Sequence, residues 1–271
     1  MKIWYTIISY LADLIPFRRS PRDIKPGDTQ VWYGRVNYWS SGGKVALRKD
    51  LISCARYGVK GYMIEMAGWA DTSCLNDARL LLRAADDYHW LVRQCRALGL
   101  WLFVSIVNDN AGSGKYGDSR VPLGSARPTV SKLIGVVRDA GPDNVIVQPV
   151  AETQTSVGRS IEVEAAGKLS GFLLVDNRSS RPSHVQGWAQ YRAWHPFSIS
   201  SSRSTPRDAL CVSDTGSLIN ELCYGLDGAG KPDTSAGWVR TVREVGCPVA
   251  GFYHFRHREH DNQIIKALGR A

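Results

Sequence analysis

The strongest constraint on this chain is a rhythm. From about residue 30 onward, short runs rich in β-branched and aromatic residues alternate with longer stretches at helical spacing. Strands are predicted at 31–38, 59–66, 100–108, 144–151, 171–176, roughly 190–195, 209–214 and 247–255, with helices near 44–57, 77–98, 128–139, 156–169, 184–190, 217–224, 235–245 and 262–269. Gly58, Gly99, Gly141 and Gly246 each follow a helical run just ahead of a strand, where glycine's tolerance of positive φ ends a helix. Alternation of this kind puts helices outside a parallel sheet. Eight strands in a chain of this length fit a closed (β/α)8 TIM barrel, an α/β fold, better than an open doubly wound sheet. The turn after the first strand, Ser40-Ser41-Gly42-Gly43, lacks dinucleotide-binding spacing.

Composition narrows the class. With 271 residues, 44% hydrophobic and 22% charged, the chain can bury a large core and is not disordered. No apolar run reaches the ~18–20 residues of a membrane-spanning helix. The net charge is +9, but Lys and Arg are scattered rather than gathered in a stripe, which argues against nucleic acid as a partner. None of the six cysteines forms a C-x-x-C pair or has a histidine at zinc-ligand spacing, so no metal and no cofactor is expected. Most lie in apolar runs, as buried thiols do, which favours a reducing, cytoplasmic setting. His254, His257 and His260, three apart, read as a solvated cluster.

Residues 1–28 stand apart from the barrel at 29–271 as an N-terminal helical extension and linker. Ile3, Ile7, Leu11, Leu14 and Ile15 share one helical face, and Pro16 ends it. With one Lys ahead of it and no small-residue cleavage site, the segment makes a poor secretory leader. It reads as a helix covering the bottom of the domain; its aromatics and the trailing Arg18-Arg19 also allow peripheral membrane contact through residues 3–19.

In such barrels the reactive groups gather at the C-terminal ends of the strands. Those ends carry Tyr38 and Trp39, Glu65, Asn108 and Asp109, Glu152, Asp176 and Asn177, Trp194 and His195, Ser213 and Asp214, and Tyr253 and His254. Acids, amides, aromatics and histidines dominate, and no lysine is among them. Gln148, Val150 and Glu152 alternate onto one strand face, setting Glu152 at the mouth. Asp214 ends the predicted seventh strand, and Glu65 follows Gly61 and Met63 on one face of the second. Two facing carboxyl groups are what glycoside hydrolysis needs. Trp39, Trp69, Tyr116, Trp194 and Tyr253 offer flat faces for sugar rings.

The pattern resembles the (β/α)8 glycoside hydrolases of the large retaining clan, through Val150-Ala151-Glu152-Thr153 after the fourth strand and Val212-Ser213-Asp214 after the seventh. It spans about residues 30–271. The resemblance implies Glu152 as general acid/base and Asp214 as nucleophile, with a carbohydrate substrate. Two departures stand out: the usual Asn-Glu pair is Ala151-Glu152, and the strand-seven glutamate is an aspartate. Glu65 or Asp176 is next in line as second carboxylate. Glu65, Asn108, Asp109, Asp176 and His195 would hold sugar hydroxyls or tune the acid.

Two other readings stay open. Thr215-Gly216-Ser217, read as opening a helix, would hold phosphate at the helix N-terminus, making the chain an isomerase or lyase with Glu152 as base. The barrel could also bind glycan without turnover. Ala111-Gly112-Ser113-Gly114-Lys115 lacks the spacing of a phosphate loop and reads as a glycine-rich lid.

Overall fold

The computed structural model describes residues 2–15, 28–33, 43–67, 73–109, 121–151, 153, 155–177, 187, 189–194, 217–219, 249–254 and 265–266. Eight parallel strands form a closed barrel in chain order. They are β1 (Asp28–Tyr33), β2 (Gly61–Ala67), β3 (Trp101–Asn108), β4 (Val145–Ala151), β5 (Leu173–Asn177), β6 (Tyr191–Trp194), β7 (Ser217–Ile219) and β8 (Val249–His254). β1 closes the sheet on β8 in register from Asp28↔Val249 to Tyr33↔His254. The described helices are α1 (Lys2–Leu11), α2 (Gly43–Tyr57), α3 (Ala78–Leu98), α4 (Leu123–Ala140) and α5 (Ser156–Lys168). The (β/α)8 expectation holds.

β2, β3 and β4 each feed two cores. Tyr62, Ile64 and Met66 on β2, Leu102, Val104 and Ile106 on β3, and Val145 and Val147 on β4 pack in one cluster with Leu51 of α2, Leu91 and Cys95 of α3, Leu133 and Val137 of α4, and Ile161 of α5. That is the sheet–helix layer. Period-two alternation turns the intervening residues to the barrel axis. Met63, Phe103 and Ile146 are buried there outside the helix-facing cluster, in one register row. Strands buried on both faces explain why these segments read as continuous apolar runs. Burial pushes the Cys54 and Cys95 thiols up, chiefly by desolvation, so these free cysteines act as packing groups.

Local chemistry sets the helix ends. Asp77 caps α3 by accepting from the Arg79 and Leu80 amides, and Gly99 ends it at φ 70°, in the left-handed region that favours glycine. α4 begins at Leu123, ahead of the predicted residue 128. Pro128 is an interior residue there, and the carbonyl its ring crowds belongs to Gly124.

Two strands lie elsewhere than predicted. β1 is described over Asp28–Tyr33, so it starts inside the expected linker, and 34–38 of the expected strand lie outside the described residues. The seventh strand is Ser217–Ile219, paired to β6 through Ala193↔Leu218 and to β8 through Ile219↔Ala250. The expected strand at 209–214 lies outside the described residues, and a helix at 217–224 is ruled out at its start.

α1 docks on α2 and α3 through polar groups. Arg48, buried, donates to the Ser9 carbonyl at 2.5 Å and to the Asp13 carboxylate at 2.6 Å, with its guanidinium 4.3 Å from the centre of the Tyr10 ring. Asp13 also accepts from Trp90 Nε1 and Gln94 Nε2, each at 2.9 Å, and Ser9 donates to Gln94. Three donors thus converge on one carboxylate. Asp13→Ala should therefore cost about 1–3 kcal/mol of stability by stranding buried donors, and Asp13→Asn less. Urea unfolding of the two variants beside wild type measures this directly.

Candidate active site

Register decides which strand-end residues meet. Glu65, Ser105 and Gln148 are Cα partners across β2, β3 and β4, on the axial side one step beyond Met63, Phe103 and Ile146. All three are buried, and Gln148 Nε2 donates to Ser105 Oγ at 3.4 Å. A polar row with a carboxylate therefore crosses the barrel interior beneath the mouth. Glu65 lies within β2, which runs on to Ala67, rather than at its tip. Alternation carries Asn108 onto the side of Ile106 and Asp176 onto the side of Leu174, and both are buried.

Asp109, the residue after β3, reaches across to the β4–α5 connection. Its Oδ2 accepts from the Thr155 amide at 2.6 Å and its Oδ1 from the Thr155 hydroxyl at 2.7 Å. The same hydroxyl accepts from the Gly158 amide at 3.0 Å and so caps α5. A carboxylate against the first turn of α5 also meets the positive end of the helix dipole. Gly158 leaves the room for it, since a Cβ there would come within 2.6 Å of Asp109 Oδ2. Two residues before Thr155, the buried Thr153 donates its hydroxyl to the buried Glu162 of α5. The chain after β4 is thus held by one carboxylate from β3 and another from α5. Sequence reading found Asp109 as a strand-end acid but missed Thr153, Thr155, Gly158 and Glu162, whose pairing is visible only once β3 and β4 lie side by side.

Glu152, which follows Ala151 at the end of β4, lies outside the described residues, as do Trp39, Trp69, Tyr116, His195 and Asp214. Trp194 ends β6 in register with Ile219, and Tyr253 lies on β8 in register with Trp32. With β7 at 217–219, Asp214 precedes the strand in the chain, and the residues following its C-terminal end are Asn220 and Glu221. Sequence reading missed that Asn-Glu pair because it lay in a stretch read as helix. Ser217 begins a strand, so it does not open the helix that the phosphate-binding alternative requires. No group of His, Cys, Asp and Glu among the described residues is arranged to hold a metal ion.

No protein-family model and no curated protein matches the chain. Solved structures do. ZgEngAGH5_4, solved in complex with a cellotriose, superposes with a TM-score of 0.61 at 11% identity, covering 93% of this chain and 100% of its own. A β-glucanase, SdGluc5_26A from Saccharophagus degradans, gives 0.58 at 10% identity, with coverages of 93% and 89%. The β-1,4-D-mannanase from Cryptopygus antarcticus gives 0.53 at 11% identity, with coverages of 93% and 94%. The chain shares their barrel fold. At this identity the likeness is one of fold, and the chemistry has to be argued from the residues.

The Asp109–Gly158 approach yields a coupled prediction. Gly158→Ala should destabilise the barrel by about 1–3 kcal/mol, because the added methyl has to displace a hydrogen-bonded carboxylate. In an Asp109→Ser background the same change should cost much less, a coupling that a double-mutant cycle by chemical unfolding reads out.

Proposed function

We propose that this chain is a retaining O-glycosyl hydrolase of polysaccharides, with its carboxylate pair at the mouth of the barrel. One observation carries the reading: a closed parallel barrel whose fourth strand leads into Glu152 and whose seventh leads into Asn220-Glu221. Strand ends converge at one rim of a closed barrel, so acids following two different strands can flank one bond. The glucanase and mannanase with the same fold support a polysaccharide substrate.

In this reading Glu152 gives its proton to the glycosidic oxygen as the bond breaks. The second carboxylate attacks the anomeric carbon, forming a covalent glycosyl-enzyme. Glu152, now ionised, takes a proton from the water that releases the sugar. The position of β7 favours Glu221 for the nucleophile over Asp214, the residue suggested by an earlier-lying strand. Asp109 acts by holding Thr155, so that the short connection carrying Glu152 keeps one geometry. Glu65 and His195 are proposed to hold sugar hydroxyls or tune the acid, and Trp39, Trp194 and Tyr253 to stack on sugar rings; Asn108 and Asp176, on the helix-facing side of their strands, are proposed to brace the rim from behind.

Reducing-end release from β-glucan, xyloglucan and mannan tests the assignment. Glu152→Gln should lower kcat by about 10²–10⁴-fold, with the smallest loss on aryl glycosides whose leaving group needs no proton. Glu221→Gln should lose at least as much on every substrate, while Asp214→Asn stays close to wild type. Product anomers followed by NMR should show retention. Full activity in Glu152→Gln sinks the mechanism; loss in Asp214→Asn with activity in Glu221→Gln returns the nucleophile to Asp214. Glycan binding without turnover by wild type would assign the barrel to recognition alone.

A further inference from the structure

The segment opened by α1 turns a mixed side inward, Ile8 and Ala12 beside a polar network, and an apolar side outward. Its polar side chains Ser9 and Asp13 are turned to the barrel and tied to Arg48, Trp90 and Gln94. Its outward side is apolar: Ile3 is 76% exposed, Trp4 56%, Tyr10 59% and Leu14 80%. Ile7 and Ile15 continue the same side and are exposed as well. Contiguous apolar surface of this kind marks a place where something binds.

The chemistry of the surface identifies what. Trp4 and Tyr10 among branched aliphatics are the combination that settles at the boundary between headgroups and acyl chains. The charge at both ends of the segment is basic: Lys2 precedes the stripe, Arg18-Arg19 follows it, and the whole chain carries +9. The acid within the segment, Asp13, is neutralised by Arg48 at 2.6 Å. An apolar stripe with basic flanks is complementary to an anionic lipid surface, where each Lys or Arg close to the headgroups adds attraction. A helix of 10 residues is about 15 Å long, half the hydrocarbon thickness, so it lies in the surface rather than through it. Indeed no described helix is long and apolar enough to cross a membrane.

We infer that α1 is an interfacial anchor that seats this barrel on an anionic membrane surface. The polar network beneath it holds the helix flat against α2 and α3, so the protein itself supplies the polar side that a free amphipathic helix would have to carry. The outer surface of α1 would seat the protein whatever chemistry the barrel performs.

Co-sedimentation of the full chain with vesicles tests it, comparing pure phosphatidylcholine with phosphatidylcholine containing about a third phosphatidylglycerol. Wild type should bind the anionic vesicles at least about tenfold more tightly than the neutral ones, with binding weakened by salt. The double variant Ile3→Glu, Leu14→Glu should lose binding at least about tenfold while keeping the wild-type melting temperature, since both positions are exposed. Equal binding to both lipids, or no binding by wild type, overturns the inference. So does a concentration-dependent dimer without vesicle binding that the double variant dissolves, which would assign the stripe to a second copy of this chain.

Discussion

Everything in the molecule that resembles a site depends on closure of the sheet. β1 and β8, at opposite ends of the barrel sequence, pair in parallel over the whole length of β1. That pairing turns a row of strands into a ring and brings all their C-terminal ends to one rim. Without it, the residues after β4 and β7 would lie on one edge of an open sheet, several strand spacings of ~4.8 Å apart. With it the ends of β4 and β7 belong to the rim of one closed ring. Closure also fixes which residues can look inward, because the alternation along each strand is locked to its neighbours' register. The Glu65–Ser105–Gln148 row follows directly from two such registers.

The rim needs a second kind of support, since the groups that would act there follow the strands instead of lying on them. After β4 the support is a pair of hydrogen-bonded carboxylates. Asp109 holds Thr155 by both amide and hydroxyl, and Glu162 holds Thr153 from inside α5. A connection of four residues between Ala151 and Ser156 therefore has two of its members fixed, one on each side of residue 154. Such anchoring limits the conformational freedom that any catalytic group on a short loop must lose before it acts. It also explains a glycine that neither a turn nor positive φ demands: Gly158 is small because a carboxylate occupies the space where its Cβ would be.

How far this was legible in the sequence depends on the kind of signal. β2 through β5 and α2, α3 and α5 were readable because each combines an apolar run with a stop: Gly58, Gly99, and the turn at 169–172. β7 was not. A three-residue strand carries no period, and Thr215-Gly216-Ser217 looks locally like a helix start. The nearby Ala-Leu-Cys-Val run at 209–212 makes the stronger strand signal, which set the expected strand end at Asp214 rather than at Ile219. Asp109 was visible as a strand-end acid, but its role was not, since Thr155 is 46 residues away and only β3–β4 adjacency joins them. Glu65 was readable as one of an axial set with Met63, whereas its neighbours in the row required the register.

α1 shows the opposite limit. Its apolar periodicity is plain in the sequence, and the natural reading is that the apolar side packs inward. The structure inverts this because a better inward partner exists. Arg48 is buried beside Trp90 and Gln94, and a buried guanidinium unmatched by acceptors is far costlier than an apolar side chain left in water. Ser9 and Asp13 supply those acceptors, so the helix rotates to deliver them, and Ile8 and Ala12 fill the space between. The hydrophobic effect, being non-directional, yields to a hydrogen-bonded charge that has only one good geometry. What remains on the outside, with Ile3, Trp4, Tyr10 and Leu14 exposed, is then a consequence of satisfying Arg48.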